Sequence, residues 1–557
     1  MVTEMSTLYY GPTVLKQFIN TQFQNKEPWQ IVSITMTTVL TFVWLWDFLN
    51  QDESLMSRTK KFVFRVCRKI PYISNQIDKE LGKVADKFDK DAEDRFKSLP
   101  FFTQLPLDGL KEEEIINLTK EYLDNAQYDW KEGFVSGAVY YNPQELLSLL
   151  GKVYATTSYT NPLHPEVFPG ICKMEAEVVR ISANLFHGSP ESCGTMTTGG
   201  TESILMACKA FRDYGRNVKG IKKPRMVIPR TAHPAFEKAA NYLGISIRYV
   251  STDPITTGVS ITEMEKAINW NTVMLVGSVP NYPYGTMDDI KSIASLGVKY
   301  DIPVHVDCCL GGFLLAFMPE AGYELPPFDF RVPGVTSISA DTHKYAYCPK
   351  GSSVILYSHP KYRHEQYCIT TDWPGGIYGS PTVGGSRAGG VIATCWATLM
   401  HLGKNEYIKN TKSVVETAKY IEEELRKVNG IFIFGKPVTS VIAIGSNDFH
   451  VFRLIEKLNG NGWCVNPLQF PPGLHICVTH VHTQDGVAER FVDDVKEAVT
   501  EILKDPKMEV QGKMAMYGMS QGIPDRSIVG DFTRFFLDAM YYTPKSDATT
   551  TLNGIKK

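Results

Sequence analysis

The sequence predicts an α/β protein: a mostly parallel sheet covered by helices, a second and smaller α/β domain after it, and one apolar helix in front. Three observations predict this. Short β-branched runs alternate with longer helical patterns between about residues 200 and 360; the order changes after about Leu402; and residues 28–46 carry no charge. Alternation of that kind is what helix-covered parallel sheets require.

The first element is the apolar run. Residues 31–46 are Ile, Val, Thr, Leu, Phe, Met and Trp with a single Ser, and the 19 uncharged residues form a helix of about 28 Å, close to a bilayer core. Trp29 stands at one end and Trp44 and Trp46 at the other, where interfacial indoles are favoured. The expectation is a retained single span. A buried helix or a cleaved signal peptide are the alternatives, the latter disfavoured because the run starts about 30 residues in and no small-residue cleavage site follows. Arg58, Lys60, Lys61, Arg65, Arg68 and Lys69 come next with no acid among them, whereas Lys16 and Lys26 are the basic residues before the span. The bias places the long C-terminal part in the cytosol and the N-terminus in a lumen. The cluster suits anionic headgroups, or else an ordinary solvated helix face.

Residues 78–132 read as a charged helical connector. Strands are predicted at 225–229, 272–278, 303–307, 335–339 and 353–357, with helices at 202–212, 236–243, 261–268 and 290–300 among them. A long helix near 414–428 and short strands at 441–444 and 474–479 form the second domain. The expected division is 1–57 for lumenal segment and anchor, 58–135 for a basic and helical segment, 136–402 for the large domain, 403–545 for the small one, and 546–557 for a polar disordered tail.

Composition narrows the function. Among 557 residues, 58 Lys and Arg face 60 Asp and Glu, a net charge of −2, so no basic excess supports nucleic acid as the main partner. With 43% apolar and 21% charged residues, neither a disordered chain nor a polytopic membrane protein fits. The 11 cysteines show no C-x-x-C pair and no His at zinc spacing, which argues against a disulfide framework or a metal and for a reducing compartment.

Chemistry concentrates in three motifs. Thr197-Thr198-Gly199-Gly200-Thr201-Glu202-Ser203 precedes a helical run, and such a helix start is an anion site or, read blandly, a glycine turn with a Thr N-cap. Asp307 ends the strand Pro303-Val304-His305-Val306-Asp307, at the edge where open α/β sheets bind ligands; a helix N-cap is the alternative. Lys344, in Ser339-Ala340-Asp341-Thr342-His343-Lys344, follows another strand. Alone it is a solvated cation. Together an anion loop, a strand-end Asp and a strand-end Lys suit pyridoxal phosphate: phosphate at the helix start, Asp307 on the pyridine nitrogen, Lys344 as Schiff base. His233 either stacks on that ring or is structural.

Thr198-Gly199-Gly200-Thr201-Glu202-Ser203, Ala232-His233, His305-Val306-Asp307 and Asp341-Thr342-His343-Lys344 together resemble the fold-type I, aspartate aminotransferase-like enzymes of the group II pyridoxal-phosphate decarboxylase family. The sequence is more similar still to the sphingosine-1-phosphate lyases. That likeness takes in the N-terminal span, Glu27-Pro28-Trp29-Gln30, Asn161-Pro162-Leu163-His164-Pro165, residues 337–351, and Thr371-Asp372-Trp373 through Gly375-Gly376-Ile377-Tyr378. It implies catalytic roles for Lys344, Asp307, His233 and Tyr140, with the adjacent Tyr141 an open alternative. It places Gly200, Thr201 and His343 near the cofactor phosphate, Gly199 and Cys309 in the same site, and Asn161, His164 and Lys350 near a substrate phosphate. The implied reaction is retro-aldol cleavage of a phosphorylated sphingoid base to ethanolamine phosphate and a long-chain aldehyde, in a homodimer with sites at the subunit interface. The implied location is the endoplasmic reticulum membrane, although Lys556 and Lys557 do not match a dilysine retrieval signal. An amino acid decarboxylase of the same fold is the rival; it needs a cationic clamp for a carboxylate, for which Arg387 is the candidate. A silent membrane scaffold is the second rival, weakened by the intact motifs.

Overall fold

The structure is a computed structural model that describes residues 16–49, 55–511, 514, 518, 521, 523 and 525–544. The predicted tail at 546–557 lies outside the described residues. The chain divides into two units, one holding residues up to Asp91 together with 525–542, the other running from Ala92 to Ile523.

In the first unit, Pro28–Leu49 is one helix of 22 residues, with Pro at its first position where a missing N–H is harmless. None of its Pro28–Leu45 stretch is buried, and that stretch is long and apolar enough to cross a membrane. Helices Leu55–Cys67 and Arg526–Ala539 follow. The guanidinium of Arg68 binds Asp531 at 2.5 Å and Ser527 at 2.9 Å.

The second unit is built on a seven-stranded sheet. Its strands are β1 (Cys193–Thr197), β2 (Arg225–Pro229), β3 (Ser246–Val250), β4 (Thr272–Ser278), β5 (Val304–Asp307), β6 (Val335–Ala340) and β7 (Ser353–Tyr357), in the order β1-β7-β6-β5-β4-β2-β3. From β3 to β6 neighbours are parallel, and β7 runs antiparallel to both β6 and β1. β4 and β5 are buried along their whole length, as sheets covered on both faces are.

Side chains alternate between two apolar cores. Val227, Leu275, Val354 and Leu356 enter one, while Met226, Ile228, Met274, Val276 and Ile355 enter the other, the period of two expected of a pleated strand. On β5 and β6, Val304, Val306 and Ile338 join the first core, so His305, Asp307, Ser337 and Ser339 fall on the second face. That face carries the site.

The hairpin of β8 (Cys368–Thr370) and β9 (Tyr378–Ser380) follows, and a smaller antiparallel sheet is made of β10 (Phe432–Ile433), β11 (Val441–Gly445), β12 (Asn466–Leu468) and β13 (Gly473–Cys477), in the order β10-β11-β13-β12. The helix expected near 414–428 is the last part of Gly389–Leu425, which is kinked at Gly403, whose φ of 59° and ψ of 173° leave the helical region.

Candidate active site

Asp307 ends β5 and is buried at 7% exposure. It caps no helix, because the next one starts after Gly311. Its Oδ1 accepts from the backbone N–H of Cys309 at 3.0 Å and from the Ser339 hydroxyl at 3.3 Å. Ser339 in turn meets Nε2 of His305 at 3.1 Å, and Nδ1 of His305 meets Ser337 at 2.7 Å.

In front of Cys309 opens a cavity of about 310 Å³, lined also by Gly199, Gly200, Thr201, His233, His343 and Lys344. Gly200 opens the helix Gly200–Asn217, whose N-cap Gly199 supplies no side-chain cap. The first N–H groups of such a helix lack intrahelical acceptors, so they point at whatever anion sits there. Glycine is required at 200 by close approach: a Cβ would lie 2.7 Å and 2.8 Å from the carboxylate oxygens of Asp341 and 2.8 Å from Sγ of Cys309. Thr198 is no cap either; its N–H and hydroxyl both bind Glu202, at 2.7 and 2.6 Å.

Lys344 lies in the turn after β6 and its Nζ pairs with Asp341 at 2.8 Å. Burial disfavours the ammonium, but Asp341 beside it overcomes this and raises Lys344 above the ordinary lysine range. Asp341 Oδ1 and His343 Nδ1 are buried and without a hydrogen-bond partner among the described residues. His343 sits beside Gly199, 3.4 Å from where a Cβ there would be. Burial lowers its pKa, against the pull of Asp341. Nδ1 of His233 accepts from Ala235 N–H at 3.1 Å. Burial lowers the pKa of His233 too, although Asp307 acts on it in the opposite sense, and with Nδ1 accepting, the ring donor of the neutral form is Nε2.

These residues fit pyridoxal phosphate. An amine able to form an imine, a helix start open to an anion and two orphaned polar atoms converge on one cavity, and behind its Cys309 wall stands a carboxylate anchored through one oxygen.

Tyr140 is buried, its ring 4.9 Å from that of Tyr345 and 4.7 Å from the Lys350 ammonium above it. Burial, then Cys477 and Asp341, push its phenol well above the usual range. Tyr141 turns elsewhere, against Tyr347 at 4.6 Å and His480 at 4.7 Å. The structure therefore brings Lys344, Asp307, His233, Gly199, Gly200, Thr201, Cys309 and His343 together, with Tyr140 and Lys350 as a second cluster.

Asn161 and His164 are not among the residues lining the cavity. Asn161 Oδ1 holds its own loop, accepting from Leu163 and Arg387 N–H at 3.1 Å each, and His164 is exposed. Arg387 is tied to Glu175 in an ion pair whose side chains are 17% and 12% exposed. Sequence reasoning gave no part to Asp341 or Glu175. The first had a signal, an acid three residues before Lys344; the second, 212 residues from its partner, had none.

The pyridoxal-dependent decarboxylase conserved domain matches residues 101–444. A sphingosine-1-phosphate lyase of Drosophila melanogaster is 57% identical over 526 residues, 94% of this chain and 96% of that protein. Sphingosine-1-phosphate lyase 1 of Mus musculus is 46% identical over 553 residues, 98% and 96% of the two chains. Among solved structures, a sphingosine-1-phosphate lyase of Burkholderia pseudomallei superposes with a TM-score of 0.74 at 37% identity, covering 81% of this chain and 99% of its own. The chain thus belongs to the pyridoxal-dependent decarboxylase family and, within it, to the sphingosine-1-phosphate lyases, with pyridoxal phosphate as its cofactor.

Proposed function

We propose that this enzyme cleaves the C2–C3 bond of a phosphorylated sphingoid base, releasing ethanolamine phosphate and a long-chain aldehyde. The observation that carries the choice over a decarboxylase is the disposition of the cations. Lys350 presents an ammonium beside Tyr140, while Arg387, the candidate carboxylate clamp, is neutralised by Glu175. A phosphate monoester brings about −1.5 to −2 charges and needs such a cation.

In this reading Lys344 would hold the cofactor through its amine, with Asp341 beside that amine to stabilise it as an ammonium when it is free. Asp307 would pair with the ring nitrogen and His233 would stack on the ring. Bound there, the cofactor supplies the electron sink that accepts the C2–C3 bonding pair. The C3 hydroxyl loses its proton as the aldehyde forms, and C2 gains one. Tyr140, kept protonated by burial, is the donor placed for that second transfer. Gly199, Gly200, Thr201, Cys309 and His343 hold the cofactor, and Lys350, His164 and Asn161 the substrate phosphate. Lys350→Ala and His164→Ala each lower kcat/KM for the phosphorylated base roughly 10- to 150-fold, the worth of one charge-assisted hydrogen bond, and leave cofactor absorption intact. Unchanged kinetics in both variants would remove phosphate recognition.

The helix Pro28–Leu49 spans the endoplasmic reticulum membrane in this reading, N-terminus in the lumen. Support comes from the helix after it: Leu55, Met56, Phe62, Val63 and Val66 are exposed and fall within an arc of about 120° at helical spacing, with Arg58, Lys60, Lys61 and Arg65 around the remainder. Such a helix lies on an anionic lipid surface. A homodimer would let Asn161 and His164, outside the cavity of their own chain, serve the site of the second subunit. The division into 136–402 and 403–545 is read at the Gly403 kink.

A further inference from the structure

Behind Asp307 lies a polar chain that the cavity does not need and the family comparison does not assign. β5 and β6 are parallel with His305 opposite Ser337 and Asp307 opposite Ser339. Four polar side chains therefore share one face of two buried strands, where the neighbouring strands place Met226, Ile228, Val276 and Ile355. His305, Ser337 and Ser339 have no solvent exposure at all. Polar groups held at that depth require partners, and they find them in one another and in Asp307, with the Cys309 thiol also beside Ser339. We propose that Ser337, His305 and Ser339 form a one-way hydrogen-bond relay that fixes the Asp307 carboxylate toward the pyridine nitrogen of the cofactor, an inference that rests on the role of Asp307 given above.

Proton counting sets the direction. An ionised carboxylate only accepts, so the single hydroxyl proton of Ser339 goes to Asp307 Oδ1 across 3.3 Å. Ser339 is then left with lone pairs toward His305, and Nε2, 3.1 Å away, must carry the imidazole N–H. Full burial holds His305 neutral, its pKa lowered to about 4, so Nδ1 is bare and accepts the Ser337 hydroxyl at 2.7 Å. The other tautomer would turn the Ser339 proton back to His305 and leave an oxygen lone pair facing Asp307. Every donor therefore points toward the carboxylate. With the Cys309 N–H on the same oxygen, Oδ1 receives two donors from two directions, which stops rotation about the carboxylate bond and leaves Oδ2 for the ligand. Ser337, His305 and Ser339 are positioning residues; none of them lines the cavity.

The test uses the full-length protein in detergent, depleted of cofactor and titrated with pyridoxal phosphate. The readouts are the dissociation constant, the pH midpoint of the visible absorption band and the thermal unfolding temperature. Ser339→Ala removes one oxygen and is read first: it should weaken cofactor binding roughly tenfold and move the pH midpoint in the same direction as Asp307→Ala, while remaining folded. His305→Phe should match it, and the double variant should be no worse than either single one, because both act through the same bond. His305→Gln, which keeps a donor near Nε2, should recover part of the loss. Ser339→Ala with the parent affinity and pH midpoint, alongside an impaired Asp307→Ala, would overturn the relay. A drop in unfolding temperature with no spectral change would do the same, reducing the chain to core packing. If Asp307→Ala itself binds and absorbs like the parent protein, the assignment of Asp307 is wrong and the relay falls with it.

Discussion

Lys344 is held by an acid three residues before it rather than by Asp307, and that pairing gives the lysine two uses. Asp341 favours its charged form when it carries nothing, and Asp341 Oδ1, without a hydrogen-bond partner among the described residues, remains open to whatever enters the cavity. Lys344→Ala should abolish the borohydride-trapped cofactor adduct and leave the fold intact; an adduct in that variant would assign another lysine. Asp307→Asn should keep the adduct but lower turnover on the order of 100-fold, since an amide forms no ion pair with a protonated ring nitrogen. Near-normal turnover would remove the electron-sink argument. Buried histidines set a pH dependence of stability. His305, His475 and His482 are each lowered by burial from 6.5 to about 4, so between those values the unfolded chain binds more protons than the folded one. Their stabilisation is complete above pH 6.5 and is lost toward pH 4, at up to about 1.4 kcal/mol per pH unit for each. Asp288, raised by burial from 3.8 to about 6, favours the folded state at low pH and loses that contribution as pH rises, offsetting one histidine. Scanning calorimetry should therefore find a lower unfolding temperature at pH 5 than at pH 7; the reverse order would contradict the burial of these rings.

At the scale of elements, the helix Gly200–Asn217 and the ends of β5 and β6 make the site. Gly200→Ala should weaken cofactor binding by about 1–3 kcal/mol, because the added methyl meets Asp341 and Cys309 in a packed wall; a cofactor titration with unchanged affinity would show that the wall yields. β2, β4 and β7 were legible residue for residue, since their β-branched runs leave no helical alternative. β1 and β3 were not: a glycine interrupts Cys-Gly-Thr-Met-Thr, an arginine sits at the centre of Ser-Ile-Arg-Tyr-Val, and both stand at the sheet edges, where one neighbour suffices. The long helix was cut short in the reading because Gly403 breaks its pattern, while the chain resumes the helix beyond the kink. Motif residues of the site were legible because they cluster in sequence around strand ends. The contacts that complete it, Arg387 with Glu175 and Lys350 over Tyr140, join segments about 200 residues apart and carry no local signal. The tyrosine choice was open for the same reason: only tertiary packing sends Tyr140 toward Lys350 and Tyr141 toward His480.

At the scale of the whole molecule, the proposed membrane anchor suits an amphiphilic substrate: the chain of the lipid would stay in the bilayer while its headgroup entered a site on the cytosolic side. Protease added to sealed microsomes should digest everything past residue 57 and spare the lumenal segment; protection of the catalytic part would reverse the orientation. The most direct test of the account is product analysis. The purified protein, loaded with pyridoxal phosphate, is incubated in parallel with a phosphorylated sphingoid base, its unphosphorylated counterpart, glutamate and an aromatic amino acid. The account predicts ethanolamine phosphate and a long-chain aldehyde in equal amounts from the first alone. Carbon dioxide released from either amino acid, or equal cleavage of the unphosphorylated base, would contradict it.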